Sequence, residues 1–355
     1  MVTLRTTLII LVLINTTYAQ KNKDNNECLF LIKQNNKYGF IDNKGKIVIQ
    51  AQFDTATNFS DAIARVGIRT SNGIDWGYID KKGAYIIEPQ LFDARDFSEG
   101  LAAIISGDNK WGYTGKSSKS GYAIKPQFDD AGMFHEGYAK VRVSAKWGFI
   151  DKKGKYIVPP KYDDAGDFSE SVARVYSNGK WGYVNNKGKV IIQLAYNDAG
   201  DFKQGLAKVK QERKWGYINK KGELVIQPDY ELAGDFSEGL ARISYDSRNP
   251  SWGYIDKNGN IVINPQYSRA DDFSEGLALV GNKWLGYINK SVEWVIGAQF
   301  GYESGSFKCG IAPVSLGWLW RPQGSILDGM HYIDRKGNYV WKTKVSMKDD
   351  PNENK

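Results

Sequence analysis

The sequence predicts an all-β protein, a tandem array of about nine three-stranded antiparallel β-meanders of roughly 35 residues each, and three observations carry that prediction. First, tryptophans at 76, 111, 147, 181, 215, 252 and 284 follow one another at intervals of 35, 36, 34, 34, 37 and 32 residues. Second, Trp, Tyr and Phe number 11, 21 and 15 against 4 Met, a balance that favours strands over packed helices. Third, short apolar runs alternate with Gly-, Asn- and Asp-containing turns throughout. Hydrophobic residues at 41% and charged residues at 25% fit a globular chain and exclude disorder over most of its 355 residues.

In chain order, residues 1–19 have the form of an export signal. Arg5 supplies a positive charge, Leu8 to Ile14 form an apolar run, and Thr17-Tyr18-Ala19 places small residues at a cleavage site before Gln20. That run is far shorter than the ~20 residues a membrane-spanning helix requires. The expectation is therefore a protein that does not span a membrane, secreted or periplasmic or held at the cell surface, cleaved after Ala19. Residues 20–27 form a linker and residues 28–343 the array.

Each copy divides into the same parts. An alternating run such as Leu206-Ala207-Lys208-Val209 is a first strand, and a polar turn such as Ser177-Asn178-Gly179-Lys180 follows it. Trp-Gly-Tyr-Ile-Asp is a second strand, whose Trp and Tyr share a face because strand side chains alternate. Asp-Lys-Lys-Gly is a tight turn, in which Gly takes a positive φ. A third strand such as Leu224-Val225-Ile226 ends near proline (Pro89, Pro126, Pro159, Pro228, Pro265), which cannot donate to a ladder. The connector Ala-Gly-Asp-Phe-Ser-Glu-Gly then crosses the length of the meander, and its Phe (Phe97, Phe134, Phe168, Phe202, Phe236, Phe273) is expected to plug between neighbours. One such sheet buries too little to stand alone, so stacking must supply the core.

Trp76, Trp111, Trp147, Trp181, Trp215, Trp252 and Trp284 are assigned to that repeat core. Tyr38 fills their slot in the first copy, Leu285 is inserted after Trp284, and Met330 before His331-Tyr332-Ile333-Asp334 marks a degenerate ninth copy. Lys-Trp-Gly-Tyr-Ile-Asp-x-x-Gly-x-x-Val-Ile-x-Pro resembles the WG-repeat family of bacterial exported proteins over residues 28 to 341. The resemblance implies an exported or surface-associated repeat array and brings no catalytic residues with it.

The array is expected to be an open, curved solenoid or superhelix, with a closed, propeller-like ring as the lesser alternative. Cys28 and Cys309 occupy nearly the same place in the first and ninth copies, and export permits a disulfide between them. A disulfide brings its Cα atoms within about 7 Å, so bonded cysteines would mean that the ends meet.

Chemistry is sparse. His135 and His331 are the only two histidines, both at repeat positions, and no nucleophile elbow, zinc-protease, P-loop or dinucleotide motif appears. The reading is not an enzyme, with no cofactor and no metal. Asp129-Asp130, Asp163-Asp164 with Asp167, Asp198 with Asp201 and Asp271-Asp272 invite a calcium reading, but their periodicity suits turn capping. The net charge of +8 is modest and its lysines lie in repeated turns (Lys81-Lys82, Lys152-Lys153, Lys187, Lys220-Lys221, Lys257, Lys336), so no nucleic-acid partner is expected. Those lysines should line one edge, either to attract anions or simply to stay solvated.

An insertion at 315–328 in the last copy is the least repetitive stretch. Its Trp318, Trp320 and Arg321 suit sugar stacking or a protein hot spot, or else a cap over the array's end. Residues 344–355 are a polar tail expected to be disordered. The functional expectation is a non-catalytic exported scaffold that binds a protein or glycan at the cell envelope, with a structural spacer as the alternative and an enzyme as a remote one.

Overall fold

The structure, a computed structural model, describes residues 28–116, 121–316 and 330–343. The export signal, the linker at 20–27, the tail at 344–355 and Trp318, Trp320 and Arg321 lie outside the described residues. Within them the chain is all β, in nine consecutive antiparallel sheets whose strands are ordered as in the sequence. Units 1 to 9 have their sheets over residues 29–53, 55–91, 101–128, 130–162, 164–196, 198–230, 232–267, 269–300 and 311–341, each with the connector that leads into it.

Unit 4 shows how the sequence builds one copy. Tyr138–Val143 pairs with Lys146–Asp151, which pairs with Tyr156–Tyr162. The second turn is held by Asp151, whose Oδ1 accepts the N–H groups of Lys153 and Lys155, both at 2.9 Å, while Gly154 takes φ +81°. Asp80, Asn185, Asn219, Asp256, Asn289 and Asp334 repeat this pattern.

The third strand does not pair evenly. Trp147 lies opposite Tyr162 and Phe149 opposite Val158, so two residues of one strand face four of the other. This bulge holds Pro159 and Pro160, where no ladder N–H is needed. It also explains the glycine after each tryptophan. A Cβ on Gly148 would stand 2.4 Å from the Val158 carbonyl oxygen and 2.6 Å from the Pro160 nitrogen. The equivalent glycines of units 1 to 8 all face the same backbone at 2.4–2.6 Å. The bulged backbone occupies the space a side chain would take.

Two expectations change. The connector does not merely cross the meander: in six units a two-residue stretch of it, such as Asp164–Ala165, pairs with the first strand as a fourth, edge strand. In addition, Leu285 rather than Trp284 holds the anchor position of unit 8. Leu285 pairs with Phe300 and Gly281, as Trp147 pairs with Tyr162 and Arg142, whereas Trp284 belongs to the preceding turn.

The buried apolar residues fall into nine clusters, and every one bridges two units. Phe149, Val158 and Tyr162 of unit 4 meet Ala165, Phe168, Ala173, Val175 and Val184 of unit 5. Ile150, the next residue along from Phe149, packs instead with unit 3. Each sheet thus buries both faces against neighbours, and the connector phenylalanine fills the junction. Phe168 lies 5.0 Å from Phe149, and seven further junctions repeat this edge-on pair at 4.8–5.0 Å.

The ninth cluster joins unit 9 to unit 1 through Ile311 and Tyr332 with Phe30, Ile32 and Ile41. Cys28 and Cys309 form a disulfide with Cα atoms 6.3 Å apart, and the Tyr332 hydroxyl donates to the Leu31 carbonyl at 2.9 Å. The array is therefore a closed, propeller-like ring, and the open solenoid is set aside. An open end would leave Ile311 and Tyr332 of unit 9, and Phe30 and Ile32 of unit 1, in water. Among the described residues no helix is long and apolar enough to cross a membrane.

Candidate functional site

The ring carries three circles of repeated side chains, two engaged internally and one turned outward. The first is a belt of tryptophan, cation and carboxylate. In unit 5, Arg174 lies opposite Tyr183 and stacks its guanidinium 5.0 Å from the Trp181 ring centroid. It also donates to the Ala199 carbonyl at 2.7 Å and pairs with Asp201 at 3.0 Å, both on the connector to unit 6. Arg65, Lys140, Lys208 and Arg242 repeat the arrangement over Trp76, Trp147, Trp215 and Trp252. The tryptophans are thus not core residues throughout. Of Trp76, Trp111, Trp147, Trp181, Trp215 and Trp252 only Trp111 is buried, and the other five are half-buried under a cation, because a flat ring at the sheet edge can pack on one face only, while Trp284 is half-buried in its turn.

The exceptions vary together. Units 1, 8 and 9 have Tyr38, Leu285 and Met330 in place of tryptophan, and Leu31, Leu279 and Pro313 in place of the cation. In unit 3 the cation position is Ala103, yet Trp111 is still covered. Arg95, one connector position from Ala94, lies 5.0 Å from the ring and pairs with Asp130 at 2.7 Å. Elsewhere that connector position is often glycine, and a Cβ on Gly166 would meet Arg174 Cγ and Nε at 2.6 Å. The guanidinium can arrive from either strand, but one side chain fills the space.

The second circle is a set of clasps. The connector turn Ser-Glu-Gly of one unit is bound by the next: Gly137 N–H donates to Glu99, Ser171 N–H to Glu136, Gly205 N–H to Glu170, Gly239 N–H to Gln204, Gly276 N–H to Glu238 and Gly310 N–H to Glu275. Asp61 takes the same role toward Gly100 at 2.6 Å. The turn lysines reach these carboxylates from the neighbouring unit: Lys116 to Asp61 (3.2 Å), Lys152 to Glu99 (3.0 Å), Lys220 to Glu170 (3.2 Å) and Lys290 to Glu238 (3.4 Å). Lys257 donates to the Gln204 carbonyl at 2.7 Å. The expected row of solvated lysines is therefore half engaged: Lys152 and Lys220 bind clasps, while Lys153 and Lys221 remain exposed.

Cys309 and Cys28 belong to this circle. Cys309 stands in the glutamate position, with φ +49° beside +52° and +54° for Glu99 and Glu275, and Cys28 precedes Leu29 as Gly137 precedes Tyr138. At the closing junction a covalent bond replaces the hydrogen bond. Asn43, in the turn-lysine position of unit 1, donates to the Cys309 carbonyl at 3.4 Å, as Lys152 does to that of Glu99 at 3.0 Å.

The acidic residues have protein partners. Lys110 and the Ser144 N–H hold the Asp129 carboxyl below its ordinary range, and Lys146 does the same to Asp163. Asp272 moves the other way, raised by burial against the opposing pull of Arg242. Among the described residues no group of three or more acidic, His or Cys side chains could hold a metal ion. Burial raises the hydroxyls of Tyr78, Tyr113, Tyr183, Tyr217 and Tyr254 far above their ordinary value, so they act as neutral donors to connector carbonyls at 2.6–2.8 Å. His331 is buried, accepts the Thr343 N–H on Nδ1 and packs edge-on against Tyr339. His135 faces Asp167 at 3.7 Å.

The third circle faces outward. The opening position of the third strand is apolar in all nine units: Ile47, Tyr85, Tyr122, Tyr156, Val190, Leu224, Ile261, Trp294 and Tyr339. Six of these are 37–47% exposed, although the strand pattern would let each face inward. Val48, Val225, Val262 and Val295 beside them are 40–43% exposed. The sequence reading passed over this rim because the third strand looked like any core strand. The available signal was that two adjacent apolar positions recur there, which an alternating half-buried strand does not require. The insertion that carries Trp318, Trp320 and Arg321 leaves the ring elsewhere, between paired residues Ser315 and Met330, at the opposite end of the strands from the Asp-Lys-Lys-Gly turns.

A family model described as "WG containing repeat" matches residues 38–68, 76–111, 121–147, 147–181, 181–215, 215–248, 252–284 and 286–320. Curated proteins yield no match. Among solved structures, one described as "KlHsv2 with loop 6CD replaced by a Gly-Ser linker" is 12% identical, covering 69% of this chain and 92% of its own, with a TM-score of 0.40. The WD40 β-propeller domain of Doa1 is 11% identical, covering 72% of this chain and 93% of its own, with a TM-score of 0.30.

Proposed function

The chain belongs to the WG-containing repeat family, and from that premise we propose that it is a non-catalytic, exported scaffold that binds a protein along its outer rim. The apolar position shared by all nine third strands, exposed in six of them, carries this reading. Exposed apolar surface that is contiguous and ringed by polar residues marks interaction sites, and Tyr and Trp are the residues that such contacts favour. Here the tyrosines stand beside solvated turn lysines such as Lys153, which favours a partner with an acidic border around an apolar centre.

Export is supported by the leader-like residues 1–19 and by the disulfide, since such bonds persist in oxidising compartments. The destination is the periplasm, the cell surface or the medium. A non-catalytic role is supported by the engagement of the charged groups: the belt and clasp carboxylates and cations are committed to holding the ring together.

A glycan taken by Trp318, Trp320 and Arg321 is the second reading, favoured by the position of that insertion outside the repeat. Two variants separate the readings. Tyr85→Ser, Tyr122→Ser, Tyr156→Ser is expected to lose capture of envelope protein while keeping its unfolding midpoint within a few degrees. Trp318→Ala, Trp320→Ala is expected to keep capture. Retained capture by the rim variant, with loss in the tryptophan variant, would transfer the function to the insertion.

A further inference from the structure

The third strand is the last in every sheet, bonded to a neighbouring strand on one side only. An open strand edge is a template for pairing with another chain, and proteins blunt such edges with lysine and proline. Proline stands at the fifth position of the strand in units 2, 3, 4, 6 and 7 (Pro89, Pro126, Pro160, Pro228, Pro265). Units 1 and 5 have Ala51 and Leu194 there, but lysines flank the turn glycine, Lys44 and Lys46 in one and Lys187 and Lys189 in the other. Unit 9 keeps Lys336. Among the described residues, unit 8 alone has neither device. Ser291 replaces the solvated lysine and Ala298 the proline, while Lys290 is drawn into the clasp with Glu238.

The same edge also exposes apolar surface. Val292 takes the turn position held by glycine in units 1, 2, 4, 5, 6, 7 and 9, at φ +66° against +75° to +86° for those glycines. A β-branched residue is disfavoured in that left-handed region, and Val292 is nevertheless exposed. Trp294 and Val295 follow it, 46% and 43% exposed. Gly297 has open space where a Cβ would stand, and Ala298 is exposed where the fifth residue of units 1 to 7 is half-buried. Ile261 and Val262 of unit 7 are exposed at the positions that Trp294 and Val295 hold in unit 8.

We propose that two copies of this chain associate through unit 8, the outer edge of Trp294–Phe300 pairing antiparallel with its own counterpart about a two-fold axis. Such an axis makes one surface complementary to itself, and Gly297 at the middle of the strand lets the two backbones approach. Charge favours a second copy at this unit. The chain has a net charge of +8, and the turns of units 1, 2, 4, 5, 6 and 9 each present an exposed lysine (Lys44, Lys82, Lys153, Lys187, Lys221, Lys336), so two rings meeting there repel. A two-fold axis at unit 8 sets unit 9 of one copy against unit 7 of the other. Lys336 then meets Asn258 and Asn260, which stand where other turns carry lysine. Val292, Trp294 and Val295 of both copies leave water together. The rim tyrosines Tyr85, Tyr122 and Tyr156 lie on units 2 to 4, so this contact is separable from partner capture there.

Sedimentation equilibrium of the purified protein at up to about 100 μM reads the mass, and hydrogen exchange reads the place. A particle of twice the chain mass is expected. Amides of 294–300 should exchange about tenfold more slowly in the dimer than in diluted monomer, with those of 224–230 in unit 6 unchanged. Ser291→Lys, Val292→Gly, Glu293→Lys and Ala298→Pro together give unit 8 the residues that unit 4 carries at Lys153, Gly154, Lys155 and Pro160. That variant should keep its unfolding midpoint and sediment as a monomer. An unaltered chain that stays monomeric throughout, a dimer that persists in the folded variant, or a dimer without slowed exchange at 294–300 would overturn the proposal. Slowed exchange that requires an envelope extract, with the chain alone monomeric, would assign the edge to another protein and overturn it as well.

Discussion

Converting the Cys28–Cys309 bridge back into the clasp used elsewhere in the ring tests both closure and the equivalence of its junctions. The two cysteines are 281 residues apart. Closing a loop of that length in the unfolded chain corresponds, by chain entropy, to about 5.6 kcal/mol at 25 °C, an upper bound because residual structure and strain lower such values. An exposed clasp hydrogen bond contributes only about 1 kcal/mol. Cys28→Ser with Cys309→Ser should therefore lose up to about 5 kcal/mol. Cys28→Gly with Cys309→Glu should recover about 1 kcal/mol of that loss. Cys309 already has the left-handed φ of the glutamates it would match, so the change adds no backbone cost. Urea unfolding of the oxidised, reduced and two substituted proteins measures the order. Hydrogen exchange localises it, since junctions in repeat arrays open individually. Strands Leu29–Gln34 and Met330–Asp334 should lose protection in the serine pair and regain part of it in the glycine–glutamate pair. Unchanged exchange in both strands on reduction would refute the claim that the bridge holds the ring shut. Identical behaviour of the two substituted pairs would refute the equivalence of Cys309 with the clasp glutamates.

Three further outcomes follow from the same geometry. Gly216→Ala should destabilise by about 2–4 kcal/mol in chemical denaturation, because its Cβ would lie 2.5 Å from the Ile226 carbonyl oxygen and the bulged backbone has nowhere to move; a neutral result would remove the explanation given for the invariant position after tryptophan. Arg95→Gly should cost about 1 kcal/mol by uncovering Trp111 and releasing Asp130, and adding Ala103→Arg should restore most of it, which a double-mutant cycle measures. Asp129 and Asp163 have folded pKa values below the unfolded value of 3.8, so their contribution is present above that value and is lost as pH falls through the folded ones. Unfolding midpoints should therefore drop between about pH 4 and 2, and Asp129→Asn with Asp163→Asn should flatten that slope, while Asp272, raised by burial, works weakly in the opposite direction.

The sequence by itself determined the unit. Spacing of the tryptophans set the period, Asp-Lys-Lys-Gly and its relatives set the second turn, and the connector phenylalanines were correctly placed between neighbours, all because these are local rules of turn chemistry and strand alternation. Two cysteines at matching places also raised the question of whether the ends meet, without deciding it. Only the tertiary structure decided the rest, for reasons that lie between chain segments distant in sequence. Closure depends on the small rotation between adjacent sheets accumulated over nine units, a quantity no single copy encodes. The glycine after tryptophan owes its role to the bulge of another strand. Arg95 replaces a missing cation at Ala103 across a strand pair, which appears in the sequence only as two unrelated departures from the repeat. The outward rim of Tyr85, Tyr122 and Tyr156 could not be read from the sequence because an apolar strand residue is buried or exposed according to what packs over it: Tyr85 and Tyr156 rest edge-on against Phe53 and Phe128 of the preceding unit and leave over a third of their surface in solvent.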